Sequence, residues 1–173
     1  MCFTQLRGHG WEGLPEAAFA IAGERGSIDI LAWHAATRTL LVVEVKTVVP
    51  DLQAMVAAID RKERLGARIA AERGWASGRV ASMLVLPEGS TARHRVAAHQ
   101  ALFQARFPDR SVAVRRFIND PAAFARPIRG LWFLSRSHHP GSRQRVRVAK
   151  TERRARPATG PSTNPTERPP GAR

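Results

Sequence analysis

The sequence predicts an α/β domain, an α+β sandwich in which helices flank one central mixed sheet. Three observations lead to this prediction. Three short apolar segments near the start are separated by hairpin-length loops, a long helical pattern follows them, and a further strand pattern, apolar on both faces, comes after that helix. A strand that returns to its sheet after a helix uses a right-handed crossover, so we expect the third and fourth strands to be parallel.

The first three strands are predicted from runs of apolar and β-branched residues. The loops between them, residues 23–27 and 34–38, have the length of hairpin connections. We therefore expect three antiparallel neighbours. The predicted strands are residues 17–22, 28–33 and 40–47.

A long helix is predicted to begin after Asp51, which is a favourable N-cap residue. Apolar residues follow at helical spacing at 52, 55, 56 and 59, the pattern continues to Ile69, and Gly74 ends it. The charged run 60–64 is expected to lie on the exposed face of this helix, where i,i+4 pairs form.

The later elements are predicted from shorter signals. Residues 80–86 read as the fourth strand, and Ser90 is placed to cap a second helix that ends at Pro108. Residues 111–118 alternate in part and predict a fifth strand. Large apolar residues are expected to pack on the core from the second helix and from the segment after residue 121: Val96, Phe103, Phe107, Trp132 and Phe133.

The charge of the chain, +14, is its strongest compositional signal. Residues 136–173 carry ten Lys and Arg against two Glu, and residues 1–135 carry eighteen basic against twelve acidic residues. We interpret 1–135 as the folded domain and 136–173 as a basic, Pro- and Arg-rich disordered tail. A positive field attracts polyanions, so DNA is the expected partner. An arginine-rich composition that serves only solubility is the alternative.

Other compositional features narrow the class of protein. The longest apolar run, 40–43, is too short for a membrane span, and no signal-peptide pattern is visible at the N-terminus. The only cysteine, Cys2, cannot form an internal disulfide. These features predict a cytoplasmic protein without a membrane partner. A homodimer is compatible with the sequence.

Three charged residues interrupt apolar strands. Glu44 and Lys46 are two apart in the third strand, so their side chains leave the same face. Asp29 interrupts the second strand in the same manner. If these strands are hairpin neighbours, the three side chains can meet. Ion pairs across the sheet are the alternative, but buried pairs contribute little net stability.

Two carboxylates and a lysine suit a magnesium site. Carboxylate oxygens can hold a hard cation that keeps several waters and accepts phosphate oxygens as further ligands. Such a cation lowers the pKa of a bound water and neutralises charge on a phosphate under attack. Lys46 could orient that water and stabilise developing charge. We therefore expect Mg²⁺ or Mn²⁺ as the cofactor.

The spacing of these residues resembles the PD-(D/E)XK nuclease superfamily, which includes restriction endonucleases and Holliday-junction resolvases. The resemblance covers roughly residues 11–90 and is carried by 23–31, Gly-Glu-Arg-Gly-Ser-Ile-Asp-Ile-Leu, followed by 43–46, Val-Glu-Val-Lys. It implies a restriction endonuclease-like core. It implies that Asp29 and Glu44 are metal ligands and that Lys46 is the catalytic lysine.

Further site residues follow from the same resemblance. It implies that the backbone carbonyl of Val45 can also bind the metal, and that Gln53 assists the site. Glu16 or Glu24 could supply the additional acidic ligand that many members take from a preceding helix. The segment 23–65, which ends in Asp60-Arg61-Lys62-Glu63-Arg64-Leu65, is similar to the C-terminal domain of some actinobacterial helix-turn-helix regulators.

The sequence thus predicts a metal-dependent endonuclease that hydrolyses DNA phosphodiester bonds. Two alternatives remain open at this point. One is a catalytically silent DNA-binding or transcription-regulatory module of the same fold. The other is a truncated fragment of such a regulator.

Overall fold

A computed structural model of the chain describes residues 6–48 and 51–135. Within them a six-stranded sheet has the order β1-β2-β3-β4-β6-β5. The strands are β1 Trp11–Ile21, β2 Glu24–His34, β3 Thr39–Val45, β4 Arg79–Pro87, β5 Asp109–Arg110 and β6 Arg129–Leu134. The α-helices are α1 Leu52–Ala71, α2 Ser90–Ala98, α3 Gln100–Arg106 and α4 Ser111–Asn119.

The sheet is mixed, as the sequence predicts. β1, β2 and β3 are antiparallel neighbours, whereas β3, β4, β6 and β5 pair in parallel. Helix α1 forms the crossover between β3 and β4. It begins where Asp51 accepts hydrogen bonds from the backbone N–H groups of Gln53 and Ala54, at 2.8 and 3.3 Å, so the predicted N-cap is confirmed.

Each face of the sheet is covered by helices. On one face α4 packs on the middle of the sheet, with Phe117 and Val114 against Val43 and Met83. On the other face α1 lies along β2, β3 and β4, and α3 packs beside it through Phe103. β3 and β4 are therefore buried on both sides, which explains their unbroken apolar sequences.

β1 and β2 exchange faces in the middle of their length. Trp11 packs on the α4 side, yet Ala17, six residues later in the same strand, packs on the α1 side. Ile28 and Leu31 also share the α1 side, although strand alternation would separate residues three apart. The exchange occurs at Glu16, where φ is 49°, and at the opposite residue of β2. The far half of the hairpin thereby folds over α1.

The turn of this hairpin is shorter than predicted. Ala22 and Gly23 alone connect the strands, and both have positive φ, 51° and 82°, as a two-residue hairpin turn of right-handed twist requires. The predicted loop 23–27 is therefore mostly strand. Gly26 lies in this strand. A glycine fits there because a Cβ would lie 2.9 Å from the ring of Phe19, its partner in the register.

Three predictions for the later elements are wrong. Residues 111–118 form helix α4 rather than a strand, because Val114, Phe117 and Ile118 are buried together at helical spacing. Ser90 is the first helical residue and not the cap, since the N-cap is Gly89. The second predicted helix is divided into α2 and α3 at His99, whose ψ is 36°. Its apolar face is as expected, because Val96, Phe103 and Phe107 share one cluster.

Trp132 and Phe133 pack on the core from β6, in line with the expected docking. The tail predicted for 136–173 lies outside the described residues. No helix among the described residues is long and apolar enough to cross a membrane.

Candidate metal centre

Glu44 lies near the end of β3 and is only 2% exposed. It is two and four residues after Val42 and Leu40, which face α1. Residues two apart in a strand share a face, so its carboxylate also points to that helix. Both of its oxygens are engaged. Oε1 accepts from the Nζ of Lys46, and Oε2 accepts from the Nζ of Lys62 in α1. A buried carboxylate thus holds two lysines between β3 and α1.

The contact with Lys62 corrects a sequence prediction. Lys62 was expected on the exposed face of α1, but it is 7% exposed and pairs with Glu44. The signal was in the sequence, because residue 62 continues a 4-3-4-3 spacing that marks the buried stripe of an amphipathic helix. The members of that stripe are Met55, Ile59, Lys62, Gly66 and Ile69.

Other charges of the run 60–64 are also paired with residues of neighbouring elements, although Asp60, Arg61 and Arg64 remain partly exposed. Glu63 accepts from the guanidinium of Arg129 on β6, and Asp60 pairs with Arg106 on α3. The charged run therefore ties α1 to the sheet and to the neighbouring helix.

Asp29 lies on β2, beside the end of β3. The ladder between the two strands ends at Ile30 and Val43, and Asp29 and Glu44 are the next two residues in that register. Here the Oδ2 oxygen of Asp29 accepts a 2.6 Å hydrogen bond from the backbone N–H of Val45. The structure thus brings Asp29, Glu44 and Lys46 to one end of two adjacent antiparallel strands, where Lys46 contacts Glu44 and Asp29 contacts the backbone of Val45.

Val45 is placed to offer its carbonyl at this point. Its N–H points to Asp29, whereas the N–H of Lys46 points to the carbonyl of Val85 on β4. In an antiparallel ladder the N–H and C=O of one residue leave the strand on the same side, so the Val45 carbonyl is directed to the Asp29 side. The Val45 side chain is 41% exposed because β3 ends there.

The two candidates for an additional acidic ligand lie in different places. Glu16 falls in the register gap opposite Asp29, between the pairs Pro15–Ile30 and Ala17–Ile28, and is exposed. Glu24 lies at the far end of β2, roughly 16 Å along the strand from Asp29. Its carboxylate pairs with Arg61 and Arg64 of α1, at 3.8 and 3.0 Å. Only Glu16 is a neighbour of Asp29.

Gln53 is exposed in the first turn of α1. It is nine residues before Lys62, which corresponds to the opposite side of a helix with 3.6 residues per turn. Its backbone N–H binds Asp51. No described contact joins its side chain to Glu44 or Asp29.

The donor set fits a hard divalent cation with few protein ligands. Two carboxylates and a backbone carbonyl lie at the same strand end, and oxygen donors of this kind bind Mg²⁺. Within residues 6–48 and 51–135, no three His, Cys, Asp or Glu side chains form a group able to hold a metal ion. The remaining ligands would therefore be water and phosphate. A cation on Glu44 must also replace an ammonium group, and Lys46, whose side chain is 31% exposed, has room to leave.

A cleft of about 180 Å³ lies where the chain leaves β3 and β4. Thr47 and Val48, which follow β3, form one wall, and Gly89 and Thr91 at the start of α2 form another. Backbone N–H groups at a helix start favour anions.

Comparison of the chain with protein-family models, with curated proteins and with solved structures finds no match.

Proposed function

We propose that this protein is a magnesium- or manganese-dependent nuclease that hydrolyses DNA phosphodiester bonds, with a restriction endonuclease-like core. The observation that carries the proposal is the buried Glu44 at a strand end, beside Asp29 and paired with Lys46. Buried charge is costly, so its presence in otherwise apolar strands favours a chemical role.

In this proposal each residue has a separate role. Asp29, Glu44 and the Val45 carbonyl hold the cation. When bound, the cation would neutralise charge on the scissile phosphate and lower the pKa of a coordinated water. Lys46 turns from Glu44 to orient the attacking water and to donate to a phosphate oxygen. The water oxygen would form the new bond to phosphorus and release one proton to solvent, one ester P–O bond would break, and the leaving oxygen would take up one proton from solvent.

The choice of DNA rests on charge and on the shape of the surroundings. Residues 1–135 carry an excess of basic side chains, and residues 136–173 add a further excess of eight. Salt-dependent binding to a phosphate backbone follows from such a charge. The cleft beside Lys46, with the start of α2 in its wall, has room for a backbone phosphate.

A catalytically silent DNA-binding or regulatory module of the same fold is the second candidate. The observation that favours it is that both oxygens of Glu44 are held by lysines. In such a module Lys46 would remain on Glu44, and the site would serve only to stabilise the fold.

The test is a cleavage assay with the purified chain on linear, supercoiled, branched and single-stranded DNA, in Mg²⁺ and in Mn²⁺. We expect cleavage that falls by at least about 10³-fold in Asp29→Ala, Glu44→Ala and Lys46→Ala, with a triple variant scarcely worse than a single one. Arg68→Ala, an exposed change in α1, is the matched control. No cleavage in either metal would favour the silent module. Cleavage that survives all three substitutions would remove the site from the proposal.

A further inference from the structure

Lys46 and Lys62 bind the same carboxylate but differ in their freedom to leave it. The Lys46 side chain is 31% exposed and belongs to the residue that directly follows β3. The Lys62 side chain is 9% exposed and comes from the middle of a twenty-residue helix. Ile59 and Leu65, each three residues from Lys62 in α1, are buried in the clusters on either side of it. Lys62 is therefore much more enclosed than Lys46 and less able to exchange Glu44 for water.

The formal charges of the group add a second observation. Asp29 and Glu44 contribute two negative charges, and Lys46 and Lys62 contribute two positive charges. A neutral group attracts a divalent cation weakly, because the field of two carboxylates is cancelled by two nearby ammonium groups. A nucleic-acid phosphate brings one negative charge, and a hydroxide formed from the attacking water brings another. These two negative charges offset the two positive charges of the cation. The whole group is then neutral, provided that Lys62 stays beside Glu44.

We propose that Lys62 is a positioning residue of this site, which keeps the Oε2 oxygen of Glu44, offers only Oε1 to a divalent cation and makes cation binding depend on a bound phosphate. The inference rests on the proposed function and deepens it. Lys46 is the lysine that leaves Glu44, and Lys62 is the lysine that remains.

Two consequences follow for the behaviour of the protein. Cation binding to the free protein is weak, and DNA strengthens it. Because coupling between two ligands is reciprocal, the cation strengthens DNA binding by the same factor. A role for Lys62 in fold stability alone would produce neither effect.

The experiment measures Mn²⁺ binding to the full chain by calorimetry, with and without a short DNA duplex that carries uncleavable phosphorothioate linkages. A DNA-only titration and Glu44→Gln provide the baselines. We expect Lys62→Met to raise the Mn²⁺ affinity of the free protein by at least about tenfold, because a positive charge near the cation is removed. DNA should then add little further affinity. Lys62→Arg should keep the dependence on DNA, and Arg68→Met, the same change of charge on the exposed face of α1, should match the wild type.

The outcomes separate this inference from the proposed function. If Lys62→Met binds Mn²⁺ with wild-type affinity in both states, the inference is wrong and the nuclease proposal stands. If the wild type binds no Mn²⁺ with or without DNA, both are wrong. Circular dichroism on heating reports folding, and should Lys62→Met show no cooperative transition, Lys62→Gln replaces it. The glutamine keeps a hydrogen-bond donor to Glu44 without the charge, so the same affinities decide the question.

Discussion

Glu24 and Glu44 both connect the sheet to helix α1, and each carboxylate binds two basic side chains. Glu24 lies at the tip of the hairpin, is partly exposed and pairs with Arg61 and Arg64. Glu44 is 2% exposed and pairs with Lys46 and Lys62. The two sites share an architecture and differ in solvent access.

This difference in burial changes what the pairs contribute. In water a pair such as Glu24–Arg64 gains little, since solvent screens both charges. In the interior the desolvation cost of Glu44 and Lys62 rivals their attraction, so the pair adds little stability but is costly to break. A fold that needs only to attach α1 to the sheet can use the exposed kind. The buried kind is expected where the charge itself has a purpose.

The largest expected effect is on stability when the buried pair is broken. Glu44→Met leaves Lys62 buried without a counter-charge and should lower the free energy of unfolding by about 3–5 kcal/mol. Urea-induced unfolding of the full chain measures it. The double variant Glu44→Met with Lys62→Met removes both charges and should lie within about 1 kcal/mol of the wild type. A double variant as unstable as the single one would mean that the pair stabilises the fold directly.

An intermediate effect separates the two functions of Asp29. Its carboxylate caps the Val45 N–H and, in the proposal, binds the cation. Asp29→Asn retains an oxygen acceptor for that N–H, so the free energy of unfolding should change by less than about 1 kcal/mol, whereas DNA cleavage should fall by at least about 10²-fold. Unfolding curves and initial rates in Mn²⁺ give the two values. Cleavage at the wild-type rate would show that Asp29 only closes the end of the ladder.

The smallest expected effect is at the hairpin tip. Glu24→Met should lower the free energy of unfolding by less than about 1 kcal/mol, and the loss should shrink as salt is raised, because the partners are exposed and screened. Unfolding at low and high ionic strength measures both. A loss comparable to that of Glu44→Met, independent of salt, would abolish the distinction between the two sites.

The parts of the fold that local sequence determines were predicted well. Asp51 marks the start of α1 by its own hydrogen bonds, and the charges at Asp29, Glu44 and Lys46 interrupt apolar strands whose pairing follows from short loops. Lys62 is not predicted as a site residue because a lysine in a charged run favours a solvated position. Its place in the buried stripe of α1 was the stronger signal.

Other features depend on contacts that are distant in sequence. Residues 111–118 carry β-branched valines, yet burial of Val114 and Phe117 against the sheet selects a helix. The exchange of faces at Glu16 and Asp29 is set by the way the hairpin covers α1, and no short-range pattern reports it. Consequently the placement of Asp29 on a strand next to Glu44 and Lys46 could be predicted, but its hydrogen bond with the Val45 N–H could not.

The central claim is that Asp29 and Glu44 share one divalent cation. The most direct measurement is a crystal structure of the chain grown with Mn²⁺, with anomalous scattering used to locate the metal. The account predicts one peak within about 2.2 Å of an oxygen of Asp29 and of the Oε1 oxygen of Glu44, with Lys46 turned away. A peak elsewhere, or a Glu44 that still binds both lysines with no metal beside it, would contradict the account.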